Sequence, residues 1–250
     1  MSESPATVTQ ILTFTVAPAL GVVFSEFMAF GPLRAVLDCR KANSLGEVNP
    51  LPFPLLFGNG LAWVIYGVAT KNIFVFLGNI GAPALSMFYL LTAHTLTTCA
   101  KTRLQMEIMV VFFISLWAIV GFSVAMLEDH ETGSSVIGIL GNITVFFLFA
   151  SPLSTFSKVI KTRNSASINK PFAACQVLNC IVWVTYGLAT SDLYVALPNV
   201  LGLLLGIAQI ALLFRSPAVP LAAMASAKVP DTVTYSNFDE SSSAESTNTV

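Results

Sequence analysis

The sequence predicts an all-α membrane protein in which seven transmembrane helices form two parallel three-helix repeats joined by a linker helix. Of the 250 residues, 55% are apolar and only 10% are charged, whereas soluble domains carry about 25% charged residues. The apolar residues form seven long stretches, and one segment of the chain is duplicated. The scarcity of charge and the net charge of −1 exclude a cytosolic enzyme and an electrostatic nucleic-acid binder.

Seven apolar stretches match the length of about 20 residues that a helix needs to cross the hydrocarbon core of a bilayer. Their predicted bounds are 10–31, 52–70, 73–95, 107–127, 136–157, 172–190 and 193–214. They are apolar on every side, whereas barrel strands alternate at period two, so a helical bundle is predicted. The first stretch is not expected to be a cleaved signal peptide, because it is too long and no Lys or Arg precedes it.

The charged residues predict an orientation for the bundle. Lys71 is the one basic residue among 12 that does not fall on the same predicted side as the others. The opposite side carries the acidic run at 128–131. The positive-inside rule therefore places residues 1–9 outside and the C-terminus in the cytoplasm. The serine-rich segment 215–250 has few large apolar residues and is predicted to be a disordered cytoplasmic tail.

A duplication with an offset of 120 residues organises the chain. Between 59–79 and 179–199, ten of 21 positions are identical, and they include Asn, Trp, Tyr and Thr as well as apolar residues. Each repeat holds three spans, an odd number, so two repeats joined directly would have opposite orientations in the membrane. Both repeats carry their basic loop in the same place, so the unpaired fourth span is predicted to give them the same orientation. The predicted units are 10–95, the linker helix 107–127, and 136–214. A site between the repeats is typical of transporters built this way.

The second repeat carries a specific set of residues that resembles the SWEET sugar transporters, and the first repeat is a looser copy. The set is Pro152-Leu153, Lys161, Pro171-Phe172, Asn179-x3-Trp183-x2-Tyr186-Gly187 and Asp192-x5-Pro198-Asn199-x2-Gly202. The resemblance covers about 10–214. It implies a facilitative, bidirectional carrier of mono- or disaccharides that works by alternating access. The expected location is the plasma membrane. Its partners would be the sugar and the lipid bilayer, with no nucleic acid, and a homo-oligomer is left open.

Neutral polar and aromatic residues are the candidate substrate-binding groups. Amides can hydrogen-bond the hydroxyls at the edge of a sugar, and indole rings can cover its C–H faces. The resemblance assigns Asn79, Asn199, Trp63 and Trp183 to the central sugar site. The alternative is that the asparagines join helices and the tryptophans anchor them at the interface. Asn59 and Asn179 lie one turn before the tryptophans, and they either contact the substrate or form hydrogen bonds between helices.

Two further groups of residues resemble the gates of the family. Tyr66, Tyr186 and Asp192 lie toward the outside and match its extracellular gate, although the repeat partner of Asp192 is Asn72. The alternative is that these are interfacial tyrosines and a solvated loop carboxylate. Four prolines near the inner ends of spans match the hinges of its intracellular gate, or in two cases simply begin helices. They are Pro32, Pro52, Pro152 and Pro171.

Glu26 departs from the family pattern, because an acid within a span is costly and by default a functional candidate. The interpretation favoured here is a protonated or hydrogen-bonded structural group. The spacing also differs between repeats, since Gly81 follows Asn79 by two residues whereas Gly202 follows Asn199 by three.

No motif for catalysis, a cofactor or a metal is found, so no enzymatic reaction is predicted. The rivals of a sugar uniporter are a proton-coupled or other small-solute carrier of the related PQ-loop type and a membrane receptor that transports nothing. A charged substrate would favour basic residues in mid-span, and the sequence places none there.

The predicted topology can be tested with epitope tags. A tag at residue 250 should be protected in intact cells and reached by antibody only after permeabilisation, whereas a tag within 128–133 should be reached directly. Reversed accessibility would refute the orientation derived from the basic loops.

Overall fold

The computed structural model describes residues 7–126, 129–165 and 168–215, and these ranges are helical with no strand. Residues 1–6 of the predicted extracellular N-terminus lie outside the described residues. So does the predicted tail beyond Arg215.

Seven helical spans in the described ranges are long and apolar enough to cross a membrane. In chain order, the first to seventh spans are Val8–Ala42, Pro52–Ala69, Ile73–Leu96, Ala100–Met126, His130–Thr162, Lys170–Ala189 and Leu193–Arg215. Large apolar side chains stay exposed along them; Ile119 and Phe122, for example, are 66% and 67% exposed. An apolar surface of this extent is expected to face the hydrocarbon core of a bilayer rather than water. The predicted class, an all-α membrane protein of seven helices, is confirmed.

Two of the spans are interrupted, which the apolar stretches did not predict. The first span has a π-helical segment at Leu12–Val16 and a turn between Ala29 and Leu33, where Pro32 is the N-cap of the next helix. Proline fixes φ and has no N–H, so a helix break is expected there. The third span is divided into Ile73–Leu77 and Gly81–Leu96.

The turns repeat as closely as the sequence does. Described non-glycine residues with positive φ form two pairs that are 120 residues apart, Asn43 with Arg163 and Lys71 with Ser191. Each of these residues follows the end of a helix, where a left-handed residue lets the chain leave the helix while bonding its last carbonyls. The duplication therefore extends to backbone geometry.

Helices of one repeat pack against helices of the other. The first span packs on the sixth, and the second packs on the fifth. At Gly21 a Cβ would lie 2.9 Å from Cε2 of Trp183, so the first span approaches that indole ring closely. The central apolar cluster joins Trp63 and Tyr66 to their repeat partners, Trp183 and Tyr186. The core therefore lies at the boundary between the repeats.

The fourth span, which has no repeat partner, packs mainly against the second. Its Phe113 ring occupies the space where a side chain at Gly58 would stand. Trp117 is only 3% exposed within the central cluster. The helix is therefore anchored to the first repeat and also contacts the fifth span.

The close approach at Gly67 provides a test of the packing. A Cβ there would lie 2.6 Å from the backbone N of Phe76, and backbone cannot move aside as a side chain tip can. We expect Gly67→Ala to destabilise the protein by about 1–3 kcal/mol, as overpacking does. The measurement is the midpoint of thermal unfolding in detergent.

Gly121→Ala is the matched control, because its nearest neighbour, Cγ2 of Ile65, is 4.0 Å away. This variant should be neutral, or stabilised by up to about 1 kcal/mol through helix propensity. Equal midpoints for the two variants would contradict the packing described.

Candidate functional site

A cavity of about 1050 Å³ lies between the repeats and is lined by both of them. Its lining includes all six predicted substrate-binding residues, namely Asn59, Trp63, Asn79, Asn179, Trp183 and Asn199. Residues far apart in sequence but related by the duplication therefore face one space.

Asn79 and Asn199 are held in the same way. In each, Nδ2 donates to the carbonyl oxygen four residues earlier, on Val75 and Val195, at 2.8 Å. Both side chains are half-buried, and the bond uses one of the two amide hydrogens. The second hydrogen and the carbonyl oxygen are then available to a ligand in the cavity.

The two tryptophans are buried at 7% and 4% exposure and lie in equivalent positions. Trp63 and Trp183 each make an edge contact with the tyrosine three residues on, with ring centroids 5.5 and 5.9 Å apart. Nε1 of Trp183 donates to Oγ of Ser25 at 2.9 Å. This hydrogen bond ties the indole to the first span, so its orientation is fixed from the other repeat.

Ser25 and Thr144 belong to the site, although the sequence did not single them out. Ser25 lines the cavity, and its Oγ donates to Oδ1 of Asn179 at 2.9 Å. Thr144 is 6% exposed, and its Oγ1 donates to Oδ1 of Asn59 at 2.9 Å. A single Ser or Thr within an apolar stretch gives no distinct signal in the sequence. Asn59 and Asn179 thus form the helix–helix hydrogen bonds considered above, and both also line the cavity.

The end of the cavity away from the basic loops is closed by two hydrogen bonds between the repeats. Oη of Tyr66 donates to Oδ1 of Asp192 at 2.8 Å, and Oη of Tyr186 donates to Oδ1 of Asn72 at 3.2 Å. The same acceptor oxygens also cap helices, since Asp192 accepts from the N–H of Val195 and Asn72 from those of the residues at 74 and 75. A bond to a carboxylate is stronger than one to an amide. The closure is therefore asymmetric.

Ring contacts reinforce this closure and join the same two pairs of spans. Tyr66 meets Tyr194 and Tyr186 meets Phe74, with ring centroids 6.2 and 6.1 Å apart. Each contact joins the second span of one repeat to the third span of the other.

The opposite end of the cavity opens toward the basic loops. Its lining extends to Asn49 and Asn169, which are exposed and lie before the second and sixth helices. The structure is therefore open on the basic side and closed on the other.

The four prolines occupy different local positions. Pro52 begins the second helix and lines the cavity, and Pro171 lies in the first turn of the sixth. Pro32 lies at the break in the first span. The fifth helix continues through position 152 to Thr162, beyond the end predicted at 157, and the Pro152 side chain lies outside the described residues.

Glu26 contacts the broken third span. Its Oε1 accepts a hydrogen bond from the backbone N of Gly81 at 3.0 Å, at the start of the helix Gly81–Leu96. This contact matches the hydrogen-bonded structural group considered above, rather than a free acid. Within the described residues, no group of three or more His, Cys, Asp or Glu side chains could hold a metal ion.

The comparison with protein families gives two matches within this chain. The family described as "Sugar efflux transporter for intercellular exchange" matches residues 16–101 and again residues 135–216. The two matches cover most of the chain, and each falls on one predicted repeat.

Curated relatives and a solved structure agree with this match. The chain is 29% identical over 188 residues to the "Sugar transporter SWEET1" of Drosophila pseudoobscura pseudoobscura, covering 74% of this chain and 83% of the relative. It is 28% identical over 209 residues to the "Bidirectional sugar transporter SWEET14" of Arabidopsis thaliana, covering 81% and 73%. A solved structure of a eukaryotic SWEET transporter shares the fold with a TM-score of 0.76 at 24% identity, covering 83% of this chain and 98% of that one.

The double match, the seven-helix fold and the duplicated cavity residues agree with the resemblance drawn from the sequence. The chain is an integral membrane protein that belongs to the SWEET family of sugar efflux transporters.

Proposed function

We propose that this protein is a facilitative, bidirectional sugar transporter whose substrate binds in the cavity between the repeats. One observation carries the proposal: a single cavity is lined by matching Asn and Trp residues of both repeats and is sealed at one end by bonds between them. Its volume of about 1050 Å³ is at the upper end of the range for small-molecule sites, about 300–1,000 Å³. A cavity of this volume is large enough for a monosaccharide or a disaccharide.

The chemistry of the lining suits a neutral polyhydroxylated ligand. Asn79 and Asn199, one from each repeat, each offer an acceptor and a donor to the cavity, as sugar hydroxyls require. The buried indoles of Trp63 and Trp183 supply apolar faces for the C–H surfaces of the ring. A site of this kind loses its substrate's hydrogen bonds when either amide is removed.

Transport would require the closed end of the cavity to open while the open end closes. In the state described, the Tyr66–Asp192 and Tyr186–Asn72 bonds close the outer end and the basic side is open. Separating these pairs while the inner ends converge would expose the same site to the other side. Pro32, Pro52, Pro152 and Pro171 are the proposed inner hinges, since missing N–H groups make helix ends easier to bend.

The proposal places the basic loops and the C-terminus in the cytoplasm and the protein in the plasma membrane. The chain carries its substrate without chemical conversion, and no nucleic acid takes part. A homo-oligomer is compatible with the proposal, but the binding site is complete within one chain.

Glu26 bears on the rival reading of a proton-coupled carrier. A symporter needs an acid that gains and loses a proton in each cycle. Here Oε1 of Glu26 accepts a hydrogen bond from the N–H of Gly81 at the start of a helix, which fits a structural role for this side chain. We therefore propose uniport.

The central site can be tested by removing one amide at a time. Asn79→Ala and Asn199→Ala should abolish flux of labelled glucose or sucrose into vesicles, because each unpaired hydroxyl costs about 1–3 kcal/mol. Trp63→Ala and Trp183→Ala should weaken it by removing the apolar faces. Asn43→Gly, at an exposed left-handed turn position that glycine adopts readily, controls for loss of an Asn outside the cavity, and all variants should elute as folded protein. Normal flux in both Asn79→Ala and Asn199→Ala would remove these residues from the site.

Energy coupling can be tested with an imposed pH gradient. Sugar should equilibrate across vesicles in either direction without accumulating, and Glu26→Gln should leave the equilibrium level unchanged even if it slows the rate. The measurement is sugar content with and without the gradient. Accumulation that requires the gradient and disappears in Glu26→Gln would make the protein a proton symporter.

A further inference from the structure

The helices that carry Asn79 and Asn199 are both irregular at these residues. The third span is broken between Leu77 and Gly81, and Asn79 lies in the break. The seventh span contains Pro198, immediately before Asn199. Each irregularity leaves a backbone group without its helical partner, and in hydrocarbon an unpaired backbone group costs several kcal/mol.

In the first repeat the unpaired group is a donor. In a regular helix the N–H of Gly81 would donate to the carbonyl of Leu77, but it donates instead to Oε1 of Glu26 in the first span. Gly81 has no side chain, and a Cβ there would collide with this carboxylate. A carboxylate is also favoured at the N-terminus of a helix. The break and the acid therefore fit each other.

In the second repeat the unpaired group is an acceptor. Pro198 has no N–H, so the carbonyl of Tyr194 lacks its helical donor. Nδ2 of Asn142 in the fifth span donates to that carbonyl at 3.1 Å and to the carbonyl of Gly138 at 2.9 Å. The ring of Tyr194 packs so closely on Gly138 that a Cβ there would lie 2.5 Å from it.

Both repeats therefore pair a backbone group that an irregular helix leaves free, but they do so with side chains at different sequence positions. In each, a polar side chain from the first helix of the repeat bonds the backbone of the third helix within a few residues of the cavity Asn. The repeat partners of Glu26 and Asn142 are Phe146 and Val22, so the duplication does not account for either contact. The break before Gly81 frees a donor and Pro198 frees an acceptor, so each repeat needs a different partner.

We propose that Glu26 and Asn142 are positioning residues that hold the irregular helices so that Asn79 and Asn199 face the substrate. The proposal rests on the proposed function, in which those two asparagines bind sugar. Glu26 acts as a fixed acceptor for the Gly81 N–H, and Asn142 as a fixed donor to the Tyr194 carbonyl.

The test measures KM and Vmax for labelled glucose and sucrose with purified protein in vesicles. Glu26→Ala removes the acceptor, whereas Glu26→Gln keeps an oxygen at the same position. Asn142→Leu keeps the approximate size of the side chain and removes its donor. Glu47→Ala, an exposed loop carboxylate, is the matched control.

Glu26→Ala and Asn142→Leu should raise KM roughly three- to ten-fold, the loss expected when one positioning hydrogen bond is removed, with Vmax changed much less. Glu26→Gln should restore a KM close to that of the wild type, and Glu47→Ala should not alter it. A purely structural role would lower the amount of active protein, and with it Vmax, without raising KM.

Gly81→Ala provides a second route to the same contact, and it serves if Glu26→Ala cannot be purified. The added methyl displaces the carboxylate, so this variant should resemble Glu26→Ala. Combining the two should cause no further rise in KM, because both remove one interaction. Independent, multiplying effects would contradict the contact.

Equal KM values for Glu26→Ala, Glu26→Gln and the wild type would overturn the proposal for Glu26, and an unchanged KM in Asn142→Leu would do so for Asn142. Asn79→Ala, measured in parallel, separates this failure from failure of the proposed function. If Asn79→Ala abolishes flux while the positioning variants behave as wild type, only the present inference fails. If Asn79→Ala transports normally, the central site itself is wrong.

Discussion

The hydrogen bonds from Tyr66 to Asp192 and from Tyr186 to Asn72 join the two repeats where the cavity ends. Each acceptor is also the cap of the helix that follows it, so opening the pair need not unwind the helix. Because the tyrosines also pack on Trp63 and Trp183, the closure is continuous with the walls of the site. The shape of the cavity therefore depends on this paired contact.

The second constraint is that polar groups within the bundle must find partners inside it. Asn59 and Asn179 each accept a hydroxyl hydrogen bond from the other repeat, and Glu26 and Asn142 bond the backbone of irregular helices. These bonds place neutral amides beside a cavity and pair the side chains of Asn59 and Asn179 across the two repeats. A neutral, polar lining is what a sugar carrier needs, since it binds hydroxyls without the desolvation cost of charge.

Much of the fold and of the site could be predicted from the sequence. The lengths of the apolar stretches indicate the spans, the distribution of basic residues predicts their orientation, and the duplication indicates the two repeats. The seven-helix class and the family are confirmed, and the six predicted substrate residues line one cavity. The break before Gly81 could not be predicted, since the group that accepts from its N–H is a carboxylate 55 residues away. Ser25 and Thr144 were missed for the same reason: a hydroxyl becomes part of a site only through packing between helices that are distant in sequence. The asymmetry at Asn72 and Asp192 was visible in the sequence, but its partners were defined only by the fold.

The central claim is that the outer closure and the inner opening alternate. Two pairs of spin labels, in a background without the native cysteines, would report the distances across the two ends of the cavity. One pair is at Lys71 and Ser191, which are exposed repeat partners at the proposed outer end. The other pair is at Glu47 and Lys170, which are exposed on the basic side. On adding glucose or sucrose in vesicles, a population should appear in which the 71–191 distance is longer, and a matching population in which the 47–170 distance is shorter. Transport that proceeds with both distances unchanged, or with both lengthening together, would contradict the account.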